Sequence, residues 1–175
     1  MAEEYGVDVV LHLDHARDYD EIRKAIDAGY SSVMFDGSSL PLKENILGTK
    51  RVVDYARARN VSVEAELGTV GGTEDGIAVS QDDACYTDPE DAVEFVKQTG
   101  IDALAVAIGT SHGQYKSKTN ISFERLKELQ EVVDIPLVIH GGTGVKDEDV
   151  KRVIDLGIRK FNVGTELLVG WNRKS

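Results

Sequence analysis

Six short runs of apolar, mostly β-branched residues recur along the chain, and segments with helical spacing separate them. The runs cover residues 7–13, 31–35, 61–67, 103–108, 135–140 and 158–163. They are nearly continuous rather than alternating, which is typical of strands in a parallel sheet that is covered on both faces. The pattern therefore predicts an α/β fold made of repeated strand and helix units.

The helical segments between these runs carry clear start and stop signals. The N-terminal signals are Asp18, Thr87 and Asp88 before Pro89, and Ser122, whereas Gly29, Gly100 and Gly157 mark helix ends. Such residues satisfy the free backbone groups at helix termini, or adopt the left-handed turn that ends a helix. Because no linker or break in composition interrupts the pattern, we expect residues 1–175 to form a single domain.

Polar residues at the ends of the predicted strands distinguish between two architectures, an open doubly wound sheet and a (β/α)8 barrel. They are Asp14 and His15, Asp36, Glu64 and Glu66, His112, His140, and Asn162. In a barrel, the carboxyl ends of all strands meet at one mouth, where barrel active sites are built. An open sheet of six strands would spread the same residues along a line, so their distribution favours the barrel.

Composition excludes several classes of function. The formal net charge of -11 argues against a broad basic surface for nucleic acid or for an anionic membrane. Cys85 is the only cysteine, which rules out an intrachain disulfide. No window approaches the ~20 apolar residues of a membrane span, and the first residues do not resemble a signal peptide. We therefore expect a cytoplasmic protein without nucleic-acid or membrane partners.

Three of the four histidines follow predicted strands and are candidates for a metal site. His15, His112 and His140, with a carboxylate nearby, would make an open site for Zn²⁺ or another divalent ion. For any one of them, a half-buried hydrogen-bonded role is the simpler interpretation, but three equivalent positions favour the metal. His12 lies inside a predicted strand, so we expect it to be packed and bonded to the backbone, outside the site.

Glycine-rich segments follow the last two predicted strands, at 141–144 and 162–165. Backbone amides in such loops bind phosphate without net positive charge, and the last two loops of barrels commonly do so. Lys116 would add a charge, although an exposed lysine is more often only solvated. The acidic, glycine-rich segment 68–76 has the composition of a flexible surface turn; alternatively, its Glu74 is an acid or base on a mobile loop.

Six segments together resemble one known family. They are LHLDH, SVMFDGS, VSVEAELGTVGGTEDG, AVAIGTSHGQYK, LVIHGGTGV and KFNVGTEL. They are similar, in order and over almost the entire chain, to the class II, metal-dependent ketose-bisphosphate aldolases, which act on fructose or tagatose bisphosphate. The segment YTDPEDAVEFVKQTGIDALAVAIGTSHG is more similar to the tagatose-type branch.

The resemblance implies a role for each candidate residue. The catalytic zinc ligands would be His15, His112 and His140, a secondary ion would be held by Asp36 and Glu66, and Asp14 and Glu74 would transfer protons. Asp14 would exchange a proton with the hydroxyl formed from the aldehyde, and Glu74 would remove the carbon-bound proton of dihydroxyacetone phosphate. The implied phosphate-binding residues are Gly113, Gly141, Gly142, Thr143, Asn162, Val163, Gly164 and Thr165.

The implied reaction is zinc-dependent, reversible aldol cleavage of a ketose 1,6-bisphosphate to dihydroxyacetone phosphate and an aldehyde such as glyceraldehyde 3-phosphate. A divalent ion would stabilise the enediolate as a Lewis acid, and two carboxylates would handle two protons. Another divalent ion in place of zinc and a monovalent cation are further expected cofactors, and a homo-oligomer, dimer or tetramer, is the expected assembly. A metal-dependent phosphosugar epimerase or hydrolase is the alternative activity.

The number of strands adds a third interpretation. In the family LHLDH belongs to the third barrel strand, so the six units correspond to units 3–8 of the (β/α)8 fold and the barrel is expected to be incomplete. Such a piece would keep the metal and phosphate residues, would be weakly active or inactive, and would associate to cover its edges.

Overall fold

The computed structural model describes residues 2–74, 77–79, 86–112 and 121–172, with side chains for 4–70, 86–111 and 121–172. Of the predicted site residues, Gly113 and Lys116 lie outside the described residues, and for Glu74 and His112 only the backbone is described.

The helices are Ala2–Tyr5 (α1), Tyr19–Asp27 (α2), Leu42–Arg57 (α3), Pro89–Thr99 (α4), Phe123–Val132 (α5), Asp147–Asp155 (α6) and Thr165–Asn172 (α7). The strands are His12–Ala16 (β1), Ser32–Phe35 (β2), Ser62–Leu67 (β3), Gly71–Glu74 (β4), Ile77–Val79 (β5), Ala103–Val106 (β6), Ser111–His112 (β7), Leu137–Ile139 (β8) and Ile158–Phe161 (β9).

Six parallel strands form the main sheet in the order β1-β2-β3-β6-β8-β9. Helices α2 to α7 connect or follow these strands, so each strand and helix pair is one βα unit. The six units form an incomplete TIM-type barrel, which confirms the predicted fold class. Among the described residues, β1 pairs only with β2 and β9 pairs only with β8.

The first strand begins later than the sequence predicts, and this is a correction. The apolar run was expected to form a strand over 7–13, but β1 covers His12–Ala16. Val7, Val9, Val10 and Leu11 are instead more than half exposed. The partner strand β2 begins with Ser32 opposite His12, and before that pair the Leu11 carbonyl accepts from the amides of Ser31 and Ser32. Strand formation here depends on the neighbouring strand and not on the local apolar pattern alone.

A second, smaller sheet has the order β5-β4-β7. Strand β4 covers Gly71–Glu74 in the segment whose composition suggested a flexible surface turn, and that interpretation was wrong for its backbone. Gly71 and Gly72 pair in parallel with Ser111 and His112 of β7. Backbone hydrogen bonds hold this ladder, so it does not need the apolar side chains that sequence patterns detect.

The structure confirms the predicted helix starts at Asp18, Asp88 and Ser122 and the predicted helix end at Gly100. The Asp18 side chain accepts a hydrogen bond from the Glu21 amide at 2.9 Å, and Asp88 and Ser122 cap α4 and α5 in the same way. Gly100 ends α4 in the left-handed conformation, with φ of 67°. These caps satisfy amides that the first helical turn leaves without partners.

The strands divide their side chains between two faces. Val33, Ala65 and Leu104 belong to a large core that also contains helix residues such as Phe95 and Leu126. Met34, Ala105 and Val138, at alternate positions, form a separate small cluster. Because side chains alternate across a strand, Glu64 and Glu66 share the face opposite Ala65. Within the described ranges, no helix combines the length and the apolar character that crossing a bilayer requires.

Candidate metal centre and phosphate site

An irregularity in β1 brings two neighbouring polar residues to the same place. The register between β1 and β2 shifts between Leu13 and Ala16, and His15 has φ of 46°, in the left-handed region. Successive residues of a regular strand point to opposite faces. Here Asp14 and His15 both have ligand atoms within 4.8 Å of a ligand atom of His140. The shifted register thus gathers three polar side chains at a cost in backbone strain.

Two imidazoles face each other at the centre of this group. His15 Nε2 lies 2.7 Å from His140 Nδ1, and the rings meet edge to face with centroids 4.6 Å apart. Each ring has a carboxylate on its other side. His140 Nε2 is 2.8 Å from Glu64 Oε1, and His15 Nδ1 is 3.3 Å from Asp36 Oδ2.

The carboxylates fix which nitrogen of each ring carries a proton. Burial lowers the pKa of His140 and outweighs the opposite effect of Glu64, and the ring donates its Nε2 proton to Glu64. His15 likewise donates from Nδ1 to Asp36. The remaining nitrogens, His140 Nδ1 and His15 Nε2, lie 2.7 Å apart, close enough to share one proton or to bind one cation together. Imidazole lone pairs oriented by carboxylates are the donors that Zn²⁺ prefers, so the described residues fit a divalent ion.

Lys160 is a site residue that the sequence did not single out, and Glu64 was noted only as a polar residue of a predicted strand, without a role. Glu64 is almost fully buried, and its second oxygen, Oε2, accepts from Lys160 Nζ at 2.8 Å. Burial would raise the pKa of Glu64, but the hydrogen bond from His140 and the charge of Lys160 lower it below its usual value. The available signal was the spacing in β9, because Lys160 lies two positions before Asn162 and alternate residues share a face.

Asp14 and Asn162 connect the two outermost strands of the main sheet. Asn162 Nδ2 lies 3.3 and 3.2 Å from the two carboxylate oxygens of Asp14, although β1 and β9 occupy opposite edges of the sheet order. Five strand spacings of an open, flat sheet would separate those edges by roughly 24 Å. The sheet is therefore curved as in a barrel, and the predicted convergence of strand ends is confirmed for these two residues.

The environment of Asp14 keeps its carboxylate ionised. Burial alone would raise the pKa of Asp14, but a hydrogen bond with His12 and the charges of His140, His15 and Lys160 lower it to about 2. His12, which we expected to lie outside the site, contributes directly: its Nε2 is 3.6 Å from Asp14 Oδ1, and its Nδ1 contacts Ser32 Oγ at 2.8 Å.

The predicted secondary ion site is partly occupied by an arginine. The ligand atoms of Asp36 and Glu66, to which the resemblance assigns the secondary ion, lie within 4.8 Å of each other and of a ligand atom of His15. However, the Arg17 guanidinium binds Asp36 Oδ2 through Nη2 at 2.7 Å and through Nε at 3.1 Å. Burial would raise the pKa of Asp36, but hydrogen bonds from His15, Ser38 and Arg17 hold it well below its usual range.

A pocket of about 290 Å³ adjoins the histidines on the side of β9. It is lined by His12, Asp14, His140, Gly141, Gly142, Thr143, Lys160, Asn162, Val163, Gly164 and Thr165. The structure thus brings most of the predicted catalytic and phosphate-binding residues to one concave surface. Lys160, rather than Lys116, is the described lysine on that surface.

Close packing explains why the loop after β8 contains glycines. Gly141 has φ of 70°, and a Cβ atom there would overlap the backbone carbonyl of Ser111. A Cβ atom on Gly142 would overlap the ring of Phe161 and approach the Asn162 carbonyl to 2.8 Å. The Gly142 amide donates to the Asn162 carbonyl at 2.9 Å, so this amide supports the loop and is not directed into the pocket.

Comparisons with known proteins show which family the chain resembles. The family model for class II fructose-bisphosphate aldolases matches residues 1–175. The YdjI aldolase of Escherichia coli K12 is 42% identical with a TM-score of 0.82, over 96% of this chain and 58% of that one. A candidate fructose-1,6-biphosphate aldolase of Coccidioides immitis is 37% identical with a TM-score of 0.84, over 93% and 58%.

The fructose-bisphosphate aldolase of Campylobacter jejuni is 31% identical with a TM-score of 0.74, over 95% of this chain and 55% of that one. The chain therefore spans somewhat more than half the length of the solved aldolases that it matches. The family match covers every residue, and the structural matches carry substantial sequence identity. The chain belongs to the class II fructose-bisphosphate aldolase family.

Proposed function

We propose that this chain carries the metal-binding and phosphate-binding part of an aldolase that reversibly cleaves a ketose 1,6-bisphosphate. The products are dihydroxyacetone phosphate and an aldehyde such as glyceraldehyde 3-phosphate. The observation that carries the proposal is the 2.7 Å approach of His15 Nε2 to His140 Nδ1, with a carboxylate behind each ring. Family membership supports the same reaction.

His15 and His140 would hold Zn²⁺ through these two nitrogens, with His112 as the third ligand. The proposal for His112 rests on its motif and on its backbone position. Strand β7 ends at His112, and the neighbouring Ser111 carbonyl packs against Gly141, the residue after His140. When bound, the ion supplies a Lewis acid that stabilises negative charge developing on the ketose oxygens.

Asp14 is the proposed group that exchanges a proton with the sugar hydroxyl. Its carboxylate lines the pocket and is ionised at neutral pH, with a pKa of about 2. In the cleavage direction, a carboxylate oxygen accepts the proton of the hydroxyl on the carbon that becomes the aldehyde. The bond between that carbon and its neighbour beside the ketone then breaks, and its electron pair stays on the ketone fragment. Asn162 holds Asp14 in place through its amide.

Glu74 is the proposed group for the second proton. It would return a proton to the ketone fragment, which completes dihydroxyacetone phosphate, and would remove that proton in the direction of synthesis. The proposal rests on the family motif. The backbone pairing of β4 with β7, in which Gly72 lies opposite His112, supports the proposal.

The phosphate groups require local binding because the chain is strongly acidic overall. The proposed sites are the loops at Thr143 and at Val163 to Thr165, which line the pocket, and α7 begins at Thr165. A helix N-terminus and consecutive backbone amides favour an anion. Lys160 adds the positive charge on the same surface.

We also propose that the protein assembles into a dimer or tetramer. Several large apolar side chains are exposed near the edges of the main sheet, including Val9 before β1 and Leu168 and Trp171 in α7. Single exposed apolar residues are ordinary, but neighbouring ones favour association. Light scattering that gives the mass of a monomer over a wide concentration range would contradict this assembly.

The activity is tested by loading the chain with Zn²⁺ and supplying fructose 1,6-bisphosphate or tagatose 1,6-bisphosphate in a coupled assay for triose phosphates. Cleavage of one sugar, lost in Asp14→Asn and in His140→Ala, is the expected result. Exchange of the carbon-bound hydrogen of dihydroxyacetone phosphate with deuterated water provides a second readout for the half-reaction. Neither cleavage nor exchange by a zinc-loaded, folded chain would contradict the proposed activity. Epimerised or dephosphorylated sugar without triose phosphate would favour an epimerase or hydrolase instead.

A further inference from the structure

We propose that Arg17 takes the place of a second metal ion, so that Asp36 positions His15 and is not a metal ligand. The inference rests on the proposed function for the first, catalytic ion only. It departs from the arrangement that the chain's resemblance implied, in which Asp36 and Glu66 hold a secondary ion. The reason lies in how the oxygens of Asp36 are used.

Both carboxylate oxygens of Asp36 are fully engaged. Oδ1 accepts from the Ser38 amide at 3.2 Å and from the Ser38 hydroxyl at 2.6 Å. Oδ2 accepts from Arg17 Nη2 at 2.7 Å and Nε at 3.1 Å, and from His15 Nδ1 at 3.3 Å. A carboxylate offers about four lone-pair sites, and five donors surround this one. No lone pair remains for an ion unless a donor leaves.

The charge of Arg17, like the hydrogen bonds to Asp36, opposes the binding of a metal ion to this carboxylate. Its guanidinium is permanently positive and binds the carboxylate with two nitrogens, a geometry that a flexible point charge such as lysine does not reproduce. A divalent ion that approached Asp36 Oδ2 would meet this positive charge at close range. The Asp36 side chain is buried but that of Arg17 is 41% exposed, so solvent weakens this repulsion without removing it.

In this arrangement Asp36 orients His15 within the proposed catalytic centre. Arg17 and Ser38 hold the carboxylate from two sides, and the carboxylate in turn holds the Nδ1 side of His15. His15 Nε2 is thereby directed at His140. His15 lies in a strained left-handed conformation, so a fixed partner for its ring is needed to keep that orientation.

The test counts bound ions. Equilibrium dialysis against buffered Zn²⁺, followed by elemental analysis, is carried out on the wild-type chain, Arg17→Ala, Arg17→Gln and the double variant Arg17→Ala/Asp36→Asn. Arg17→Gln preserves most of the side-chain stem in case Arg17→Ala does not fold. Arg23→Ala is the matched control, because Arg23 is similarly exposed and pairs with Asp20 on the surface of α2.

The expected result is one additional ion per chain in Arg17→Ala or Arg17→Gln, absent in the double variant and in Arg23→Ala. If Arg17 only stabilised the fold, its replacement would lower the stability of the chain without raising the number of bound ions. Equal ion counts in wild type and both folded Arg17 variants would overturn the inference, as would a wild-type chain that already binds two ions. A wild-type chain with no ion, together with Arg17 variants that gain one, would support the inference while contradicting the proposed catalytic ion.

Discussion

Glu64 Oε1 accepts a hydrogen bond from His140 Nε2 at 2.8 Å, and the same carboxylate binds Lys160 through its other oxygen. The glutamate is 3% exposed and lies on the inner face of β3. A carboxylate on the far nitrogen of a ligand histidine fixes its tautomer and raises its basicity. The pair therefore prepares His140 Nδ1 to bind a cation.

Replacing Glu64 with glutamine is predicted to weaken Zn²⁺ binding by about 10- to 100-fold, the usual effect of losing such a partner. The amide lacks the negative charge and can present its NH₂ group to His140, which would favour the wrong tautomer. Competition with a chromophoric chelator measures the affinity. Glu128→Gln, which alters a surface pair with Arg125, is the control and should bind Zn²⁺ like wild type. Equal affinities for the two variants would show that Glu64 has no such role.

The left-handed backbone of His15 makes a prediction about stability. At φ of 46°, glycine avoids the strain that any Cβ atom introduces, so His15→Gly should be more stable than His15→Ala by about 1 kcal/mol. Urea unfolding measures the difference. At Ser62, an exposed position in β3, the order should reverse because glycine is unfavourable in a strand. If the alanine variant were the more stable one at both positions, strain at His15 would be excluded.

The close approach of Gly141 to the Ser111 carbonyl predicts a large effect of one methyl group. Gly141→Ala should destabilise the protein by roughly 2 kcal/mol, because the Cβ atom both overlaps the backbone and disfavours a φ of 70°. Gly170→Ala in α7 is the control: its Cβ would meet open space, and alanine favours a helix by about 1 kcal/mol. Thermal unfolding of both variants decides the prediction, which fails if Gly141→Ala is as stable as wild type.

The lowered pKa of Asp14 predicts how stability depends on pH. The pKa of Asp14 is about 2 in the folded chain, whereas that of an unfolded aspartate is about 3.9. Asp14 therefore contributes stability above pH ~3.9 that is lost progressively as the pH falls toward ~2. Its side chain is 43% exposed, so screening reduces the size of the effect.

The comparison that isolates this contribution is the unfolding free energy of wild type against Asp14→Asn, measured at several pH values from about 5 down to about 2. The wild-type advantage should shrink through this window. A difference that is constant with pH would mean that Asp14 titrates alike in the folded and unfolded chain.

The fold was largely predictable because its signals are local. Runs of apolar residues and capping groups such as Asp18 and Ser122 act within a few positions, and they located the strands and helices. The start of β1 was misplaced because the apolar stretch from Val7 to Leu11 cannot reveal whether a partner strand lies beside it.

The site was predictable only where its residues stand at strand ends. Asp14, His15 and His140 follow that rule, and the structure brings them together. The roles of Lys160 and Arg17 were not predictable, because they come from partners distant in sequence. Lys160 pairs with a glutamate 96 positions earlier, and Arg17 with an aspartate 19 positions later. Which lateral neighbours a strand acquires is set by the sheet order, which no local pattern records.

The most direct test of the proposed metal centre is X-ray absorption spectroscopy of the zinc-loaded chain. We predict imidazole scattering with Zn–N distances of about 2.0–2.1 Å, reduced by at least one imidazole in His15→Ala and in His140→Ala. His12→Ala, which changes a histidine on the same pocket but outside the facing pair, should retain the wild-type number of imidazoles. A zinc spectrum without imidazole scattering, or one that neither His15→Ala nor His140→Ala changes, would contradict the account.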